Sequence, residues 1–189
     1  MSSPLQSETD SLHNLARLYR VLVRYRDGFR VVREPSREAL LAVLKELGAP
    51  LQSVKDAPAA LAGRQEELWS RVLEPVVVLW QGRPPECKLR IPESPAGGTA
   101  GCELRLEDGA EQRWTDKLAQ LRTQRGALVN GRSYLSKVLL LPAEIPIGYH
   151  RLRLEIGGQV HEASVICAPT AAHSFDCSDG RLWGLFLPL

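Results

Sequence analysis

The chain has 189 residues, of which 44% are hydrophobic and 24% are charged, and its formal net charge is +2. These are the values of an ordinary globular protein, and so small a positive charge gives no electrostatic case for nucleic-acid binding. The first ten residues lack the basic start and apolar core of a signal peptide, and no apolar stretch approaches the roughly 20 residues of a membrane helix, so the sequence predicts a cytoplasmic protein without membrane or nucleic-acid partners.

The first third of the sequence predicts three short amphipathic helices. The segment SETD (7–10) has the capping-box pattern, a hydroxyl followed three residues later by an acid, and predicts the start of the first helix. Ser36 predicts the N-cap of the second helix, which ends at Gly48, and Asp56 with Pro58 predicts the start of the third. The predicted buried faces of the first two helices are Leu12, Leu15, Leu18, Tyr19 and Leu22, and Ala39, Leu40, Val43, Leu44 and Leu47.

Between the first two helices, the dipeptide DG (27–28) predicts a turn beside a short extended piece. From Pro75 onward the hydrophobic period changes to two, which predicts about seven short strands. The two-residue loop GG (157–158) and the turn DG (108–109) are hairpin signals. This succession favours an immunoglobulin-like antiparallel β-sandwich. The predicted strands are VVVLW (76–80), CKLRI (87–91), CELRL (102–106), AEQRWTDKL (110–118), YLSKVLLL (134–141), YHRLRLEI (149–156) and VHEASVICA (160–168).

The segment LPAEIPIGYH (141–150) resembles the crossing that ends in a tyrosine corner, and it predicts that the Tyr149 hydroxyl bonds to upstream backbone. The cysteines have no close spacing, so the sequence predicts free thiols rather than a zinc site. Cys87, Cys102 and Cys167 fall at core-facing strand positions.

No set of residues has a spacing that indicates catalysis. The sequence contains none of the motifs GxSxG, GxxxxGK[ST], HExxH or GxGxxG. His150 and His161 could face each other across the predicted hairpin, but nothing supplies a third metal ligand, and two solvent-facing side chains are the favoured interpretation. We therefore predict no catalytic residue, no metal site and no cofactor.

The tryptophans are candidates for sugar binding, because exposed aromatic rings can stack on pyranose rings. Trp80 alternates with Val76 and Val78, which favours a place in the sandwich core, and Trp69 is expected to dock the third helix. Trp114 lies among polar residues and is the strand tryptophan expected to be more exposed. If the sandwich contacts a glucan, Trp114 and Trp80 are the candidate residues.

The end of the sequence predicts a strand without neighbours. A polar segment follows Pro169, and then the apolar run WGLFLPL (183–189) has the composition of a strand buried on both faces. The predicted organisation is a helical part (1–74), a sandwich (75–169), a linker (170–182) and one strand of a further unit (183–189).

Three segments carry a resemblance to a known family. WGLFLPL (183–189) resembles the opening of the catalytic barrel in amylomaltases, the 4-α-glucanotransferases of glycoside hydrolase family 77. IPIGYHRLRLEIGG (145–158) resembles the last hairpin of the sandwich that precedes that barrel, and residues 15–50 resemble the N-terminal helical segment. The resemblance implies an α+β chain, with a small helical bundle, an immunoglobulin-like antiparallel sandwich and a C-terminal stub of a truncated (β/α)8 barrel.

The resemblance also implies a function for a longer parent enzyme, the transfer of α-1,4-glucan segments between maltooligosaccharides with retention of configuration. The catalytic carboxylates of that family lie on barrel strands beyond Leu189, so the segment itself is expected to be non-catalytic and to have the parent barrel as its partner. Two alternatives stay open: a free-standing carbohydrate-binding module, and an interaction domain with no sugar role, including a homodimer.

Overall fold

The structure, a computed structural model, describes residues 4–93 and 98–172. Three helices come first: α1 (Pro4–Leu18), α2 (Arg37–Glu46) and α3 (Ala57–Ser70). Two short strands, β1 (Tyr25–Arg26) and β2 (Val32–Arg33), form a hairpin between α1 and α2 and confirm the turn predicted there. Eight further strands follow α3: β3 (Val76–Trp80), β4 (Glu86–Pro92), β5 (Thr99–Arg105), β6 (Glu111–Lys117), β7 (Arg122–Val129), β8 (Arg132–Leu140), β9 (Gly148–Ile156) and β10 (Gln159–Ala168).

The predicted helix signals are partly confirmed. The Ser36 hydroxyl accepts the Ala39 N–H at 3.2 Å, and Gly48, at φ 81°, follows the end of α2 in the left-handed region. The capping box at residues 7–10 is wrong, because α1 begins at Pro4 and Ser7 lies inside it, where its carbonyl accepts the Ser11 hydroxyl. The predicted face of α2 is too wide, because this helix buries only Leu40 and Leu44.

The helices share one apolar core. Leu12 and Leu15 of α1 and Leu44 of α2 are fully buried, and α1 lies between the other two helices. Helix α3 contributes two small buried side chains, Ala57 and Ala60, to this core. The buried residues of this core are Leu12, Leu15, Ala16, Leu40, Leu44, Ala49, Leu51, Ala57 and Ala60.

The remaining strands form a two-sheet sandwich. One sheet has the order β3-β10-β9-β5-β6 and the other has the order β4-β8-β7, which confirms the predicted β-sandwich. The hairpin predicted at residues 157–158 is confirmed between β9 and β10, and the turn at residues 108–109 joins β5 to β6. The segment that follows β8 carries the chain from the three-stranded to the five-stranded sheet.

Two features of the sandwich differ from the prediction. The pairing is not wholly antiparallel, because the first strand, β3, lies parallel to the last, β10, with Val78 opposite Ile166. Strand β7 is absent from the predicted set, because its run RTQRGALV has little apolar alternation. The Asn130-Gly131 turn that joins β7 to β8 is the available signal, since both residues have positive φ, as a type I′ hairpin requires.

The sandwich core lies between the two sheets. Cys87, Cys102 and Cys167 are buried and free, as predicted. The inward alternation predicted for β4 and β5 is also confirmed. The buried residues of this core are Leu73, Val77, Leu79, Cys87, Leu89, Ile91, Ala100, Cys102, Leu104, Leu118, Leu139, Leu141, Leu152, Leu154, Ala163, Val165 and Cys167.

Helix α3 packs on the outer face of the three-stranded sheet. The ring of Trp69 lies 6.2 Å from the ring of the buried Tyr134, which confirms that Trp69 docks this helix. The Arg125 guanidinium lies 5.1 Å from the centre of the Trp69 ring, and the Asn130 amide donates to the Glu66 carboxylate at 2.7 Å. The predicted barrel strand (183–189) and the linker beyond residue 172 lie outside the described residues.

Candidate functional site

The outer face of the five-stranded sheet carries an exposed group of apolar side chains. On β3, Val76 and Val78 are each 50% exposed and Trp80 is 47% exposed. The strand register places Ile166 beside Val78 and Tyr149 beside Ile166, while Ala168 lies beside Trp80. We call these residues the apolar patch: Val76, Val78, Trp80, Tyr149, Ile166 and Ala168.

The position of Trp80 corrects the prediction that it fills the sandwich core. Val77 and Leu79 point into the core instead, and Trp80 lies on the opposite face. The reason is that every residue of VVVLW is apolar, so period-two alternation does not indicate which set of side chains points inward. The predicted strand has the right bounds and the wrong face.

Trp114 is also placed differently from the prediction. Its ring is half-buried and packs against the sandwich core. Its indole N–H donates to the Asp116 carboxylate at 3.0 Å, so the polar end of the ring is satisfied within its own strand. Of the two strand tryptophans, Trp80 is therefore the exposed one, and the predicted order of exposure is reversed.

The rest of this sheet face is charged. Arg105 and Arg151 lie directly opposite each other on β5 and β9, and Glu103 lies opposite Arg153. Arg113 on β6 forms ion pairs with Glu103 at 3.1 Å and with Glu111 at 3.0 Å. A shallow groove runs over these strands, lined by Arg105, Arg151, Arg153 and Ser164 among others. The face thus combines an apolar corner with a grid of solvated charges.

His150 is neither a metal-site candidate nor a solvent-facing side chain. It is 3% exposed; its Nδ1 accepts the Glu107 N–H at 3.2 Å, and its Nε2 lies 2.9 Å from the Pro146 carbonyl. His161 pairs with Leu154 and His150 with Val165, so the two histidines do not face each other across the hairpin. His150 therefore links Glu107 to the segment that crosses between the two sheets before β9.

The prediction that Tyr149 forms a tyrosine corner is wrong, because other residues tie this corner. Tyr149 is 70% exposed, so its side chain points away from the upstream turn. Its N–H donates to the Glu107 carboxylate at 2.9 Å, and a Cβ at the preceding Gly148 would run into that carboxylate. The corner is thus built by the ring of His150 and the side chain of Glu107, with Gly148 leaving room for the latter.

The described residues present no catalytic constellation. Among residues 4–93 and 98–172, no group of three or more His, Cys, Asp or Glu side chains could hold a metal ion. Burial, with a smaller effect of Cys102, raises the pKa of the Cys87 thiol to about 12, and burial with Asp116 does the same for Cys102. Such thiols stay protonated and are poor nucleophiles. No helix in the described part of the chain is long and apolar enough to cross a membrane.

The comparisons with known proteins decide the family. The family model described as the MalQ N-terminal beta sandwich domain matches residues 72–169. The chain belongs to this family. Curated 4-alpha-glucanotransferases of Mycobacterium tuberculosis and Mycobacterium bovis are 31% identical to it over 185 residues, which is 95% of this chain and 24% of each relative. The chain therefore spans about a quarter of the length of the curated relatives that it matches.

A solved structure supports the fold of this MalQ-type region. The crystal structure of amylomaltase from Corynebacterium glutamicum matches with a TM-score of 0.67 at 22% sequence identity, covering 85% of this chain and 23% of that one. At that identity the match shows the fold alone. Together with the family match, these similarities confirm the resemblance to the N-terminal region of amylomaltases that the sequence indicated.

Proposed function

We propose that the chain is the N-terminal accessory region of a 4-α-glucanotransferase that transfers α-1,4-glucan segments between maltooligosaccharides. The observation that carries this proposal is the family match over residues 72–169, together with 4-alpha-glucanotransferases that align over 95% of the chain. The described residues contribute no catalytic group. In this proposal the chemistry belongs to a barrel that follows the sandwich, reached through a linker (170–182) and beginning with a strand at residues 183–189.

The proposed role of the region is to support that barrel. Its helical part and its sandwich are joined through Trp69 and Tyr134, so they present a continuous body for the barrel to pack against. The boundaries proposed from the sequence, a helical part over 1–74 and a sandwich over 75–169, belong to this proposal.

The deciding experiment measures the length and the activity of the native gene product. We expect a product much longer than 189 residues that releases glucose from maltotriose by disproportionation, while the 189-residue chain alone releases none. A native product of 189 residues without transferase activity would overturn the proposal. Glucose release by the 189-residue chain would show that the accessory region is not catalytically silent.

Contact with glucan is a second candidate function, which the exposure of Trp80 and Tyr149 on the same sheet face favours. It is tested by titrating the 189-residue chain with maltoheptaose and by comparing the variants Trp80→Ala and Trp114→Ala. If the affinity for maltoheptaose is lost in Trp80→Ala and retained in Trp114→Ala, the apolar patch is the glucan-binding surface. The reverse would place the contact at Trp114. A stable dimer indifferent to glucan would favour the interaction-domain alternative.

A further inference from the structure

Strand β3 is an edge strand whose outer side is open in the described structure. It is outermost in its sheet and pairs only with β10. The Ser164 N–H donates to the Pro75 carbonyl, and the Gln81 N–H donates to the Ala168 carbonyl, both at 2.9 Å. Because alternate residues of a parallel strand bond to the same side, the N–H groups of Val76, Val78 and Trp80 point away from β10. The side chains of the same three residues are exposed and belong to the apolar patch.

A comparison of the four sandwich edges sets β3 apart. Folded proteins protect edge strands with charges, prolines or bulges, since an open apolar edge pairs with other chains. Strands β6 (EQRWTDK) and β4 (ECKLRIP) carry several charged residues, and β7 (RTQRGALV) has two arginines and a bulge between Thr123 and Arg125. Strand β3 (VVVLW) has no charge, no proline and no bulge. It has the composition of a strand that is covered.

The end of the sandwich lies at the same corner. Ala168, the last residue of β10, pairs with Trp80, the last residue of β3. The chain therefore leaves the last strand of the sandwich beside the apolar patch. A tethered partner has an effective concentration on the order of millimolar, which favours it over a free second copy of the chain.

We infer that the outer edge of β3 and the apolar patch form the surface on which the catalytic part of the enzyme docks. This inference rests on the proposed function, because it takes the occupant to be the barrel that follows the sandwich. The occupant needs an apolar surface that covers Val76, Val78 and Trp80 and reaches Tyr149. The charged rows that continue from the patch across β9, β5 and β6 form the solvated rim, the usual arrangement of an interface.

The test is hydroxyl-radical footprinting of the native gene product beside the 189-residue chain. We expect Trp80 and Tyr149 to be labelled in the 189-residue chain and to lose labelling in the native product, with Tyr149 falling to the level of the buried Tyr134. Tyr25, which is 44% exposed in the β1–β2 hairpin, is the internal control and should be labelled equally in both. A second measurement uses Val78→Lys in the native product, which should restore labelling of Trp80. Val43→Lys, at a similarly exposed position on α2, should not.

Each of the following outcomes would overturn the inference, and each points to a different reason. Equal labelling of Trp80 in both proteins, when the native product is long and active, refutes the docking surface and leaves the proposed function standing. Protection that appears in the 189-residue chain as its concentration rises assigns the surface to a second copy. Protection that requires added maltoheptaose assigns it to glucan. A native product of 189 residues without transferase activity removes the proposed function and the inference together.

Discussion

At the scale of single residues, His150 is the residue whose role could not be predicted from the sequence. A buried imidazole with one hydrogen bond accepted at Nδ1 and one donated from Nε2 is fully satisfied as the neutral Nε2–H tautomer. It ties Pro146, in the segment between β8 and β9, to Glu107, the second residue after β5. In immunoglobulin-like sandwiches a tyrosine hydroxyl commonly ties this corner. Here the tyrosine and the histidine are adjacent, and strand alternation turned the histidine inward.

This role predicts a large difference between two histidine variants. His150→Leu removes both hydrogen bonds and leaves the Glu107 N–H without its partner, so the free energy of unfolding should fall by about 2 kcal/mol. His161→Leu, on the neighbouring strand and only partly buried, should change it by less than about 0.5 kcal/mol. Urea denaturation of the two variants measures both values. Equal stabilities would show that the His150 bonds contribute nothing to the corner.

The buried thiols make a second prediction at this scale. Because burial raises the pKa values of Cys87 and Cys102 to about 12, iodoacetamide at neutral pH should leave both unmodified in the native chain and modify both in denaturant. An engineered thiol at the exposed Leu128, as Leu128→Cys, should react in the native state. Peptide mass spectrometry separates the three sites. Native reaction of Cys87 as fast as that of the engineered thiol would contradict the burial.

The raised thiol pKa values also make the stability of the folded chain depend on pH. In the folded chain they lie above the ordinary value of 9.0, so the folded state holds these protons more tightly than the unfolded state. Their contribution is fully present below pH 9.0 and is lost as the pH rises towards about 12. The double variant Cys87→Ala, Cys102→Ala lacks these thiols, so its free energy of unfolding should fall less between neutral pH and alkaline pH than that of the unsubstituted chain.

At the scale of elements, the connection from α3 to β3 is fixed by β4. The Arg90 N–H donates to the Val72 carbonyl at 2.8 Å, and the Arg90 guanidinium lies 2.6 Å from the Glu74 carboxylate. Leu73 forms a bridge with Leu89 at the same level. Residues 72–74 are thus held against β4, a strand of the three-stranded sheet. The connection therefore leads from α3, on the outer face of that sheet, to β3 at the edge of the five-stranded sheet.

The Glu74–Arg90 ion pair predicts a pH-dependent stability. Burial raises the pKa of Glu74, but Arg90, with a smaller effect of Arg71, outweighs burial and leaves the pKa below 4.5. The contribution is therefore present above pH 4.5 and is lost as the pH falls below it. Glu74→Gln should lower the free energy of unfolding at neutral pH by about 0.5–1 kcal/mol, as for other partly exposed ion pairs. The deficit should shrink in acid.

A matched control for this ion pair is Glu34, whose partner Arg24 lies 3.5 Å away with both side chains largely exposed. Glu34→Gln should have no measurable effect at either pH, because exposed ion pairs are screened by solvent. Thermal denaturation at neutral pH and at pH below 4.5 gives the comparison. A deficit in Glu74→Gln that persisted in acid would assign the effect to packing rather than to charge.

The strands also show which parts of the fold the sequence could predict. Alternation of apolar and charged residues located β4 and β5 and the direction of their side chains, because only one face of each strand is apolar. The same rule failed for β3, where both faces are apolar, and for β7, where neither is. The candidate site depends on the orientation of β3, so it could not be found from the sequence, although Trp80 itself was named.

At the scale of the whole molecule, an aromatic contact joins helix α3 to the outer face of the three-stranded sheet. Trp69 reaches Tyr134 across the interface, and Arg125 covers the indole ring. Trp69→Ala should lower the free energy of unfolding by about 2 kcal/mol, since the ring is only half-buried, and should let the two parts unfold separately. Trp80→Ala, with an exposed ring, should leave the 189-residue chain nearly unchanged.

The separation is measured by following denaturation with two probes. Far-ultraviolet circular dichroism reports the helices, and alkylation of Cys87 reports the opening of the sandwich core. In the unsubstituted chain the two transitions should coincide, and in Trp69→Ala they should part. Coincident transitions in the variant would show that the remaining contacts of α3 with β4 and β7 are enough to couple the two cores.

The parallel pairing of β3 and β10 has a mechanical consequence. The chain enters the sandwich at the start of β3 and leaves it at the end of β10, and these points lie at opposite ends of one parallel pair. Tension along the polypeptide therefore pulls the two strands lengthwise past each other, so their evenly spaced hydrogen bonds share the load instead of breaking one at a time. We therefore expect the sandwich to resist extension under such tension until these hydrogen bonds break together.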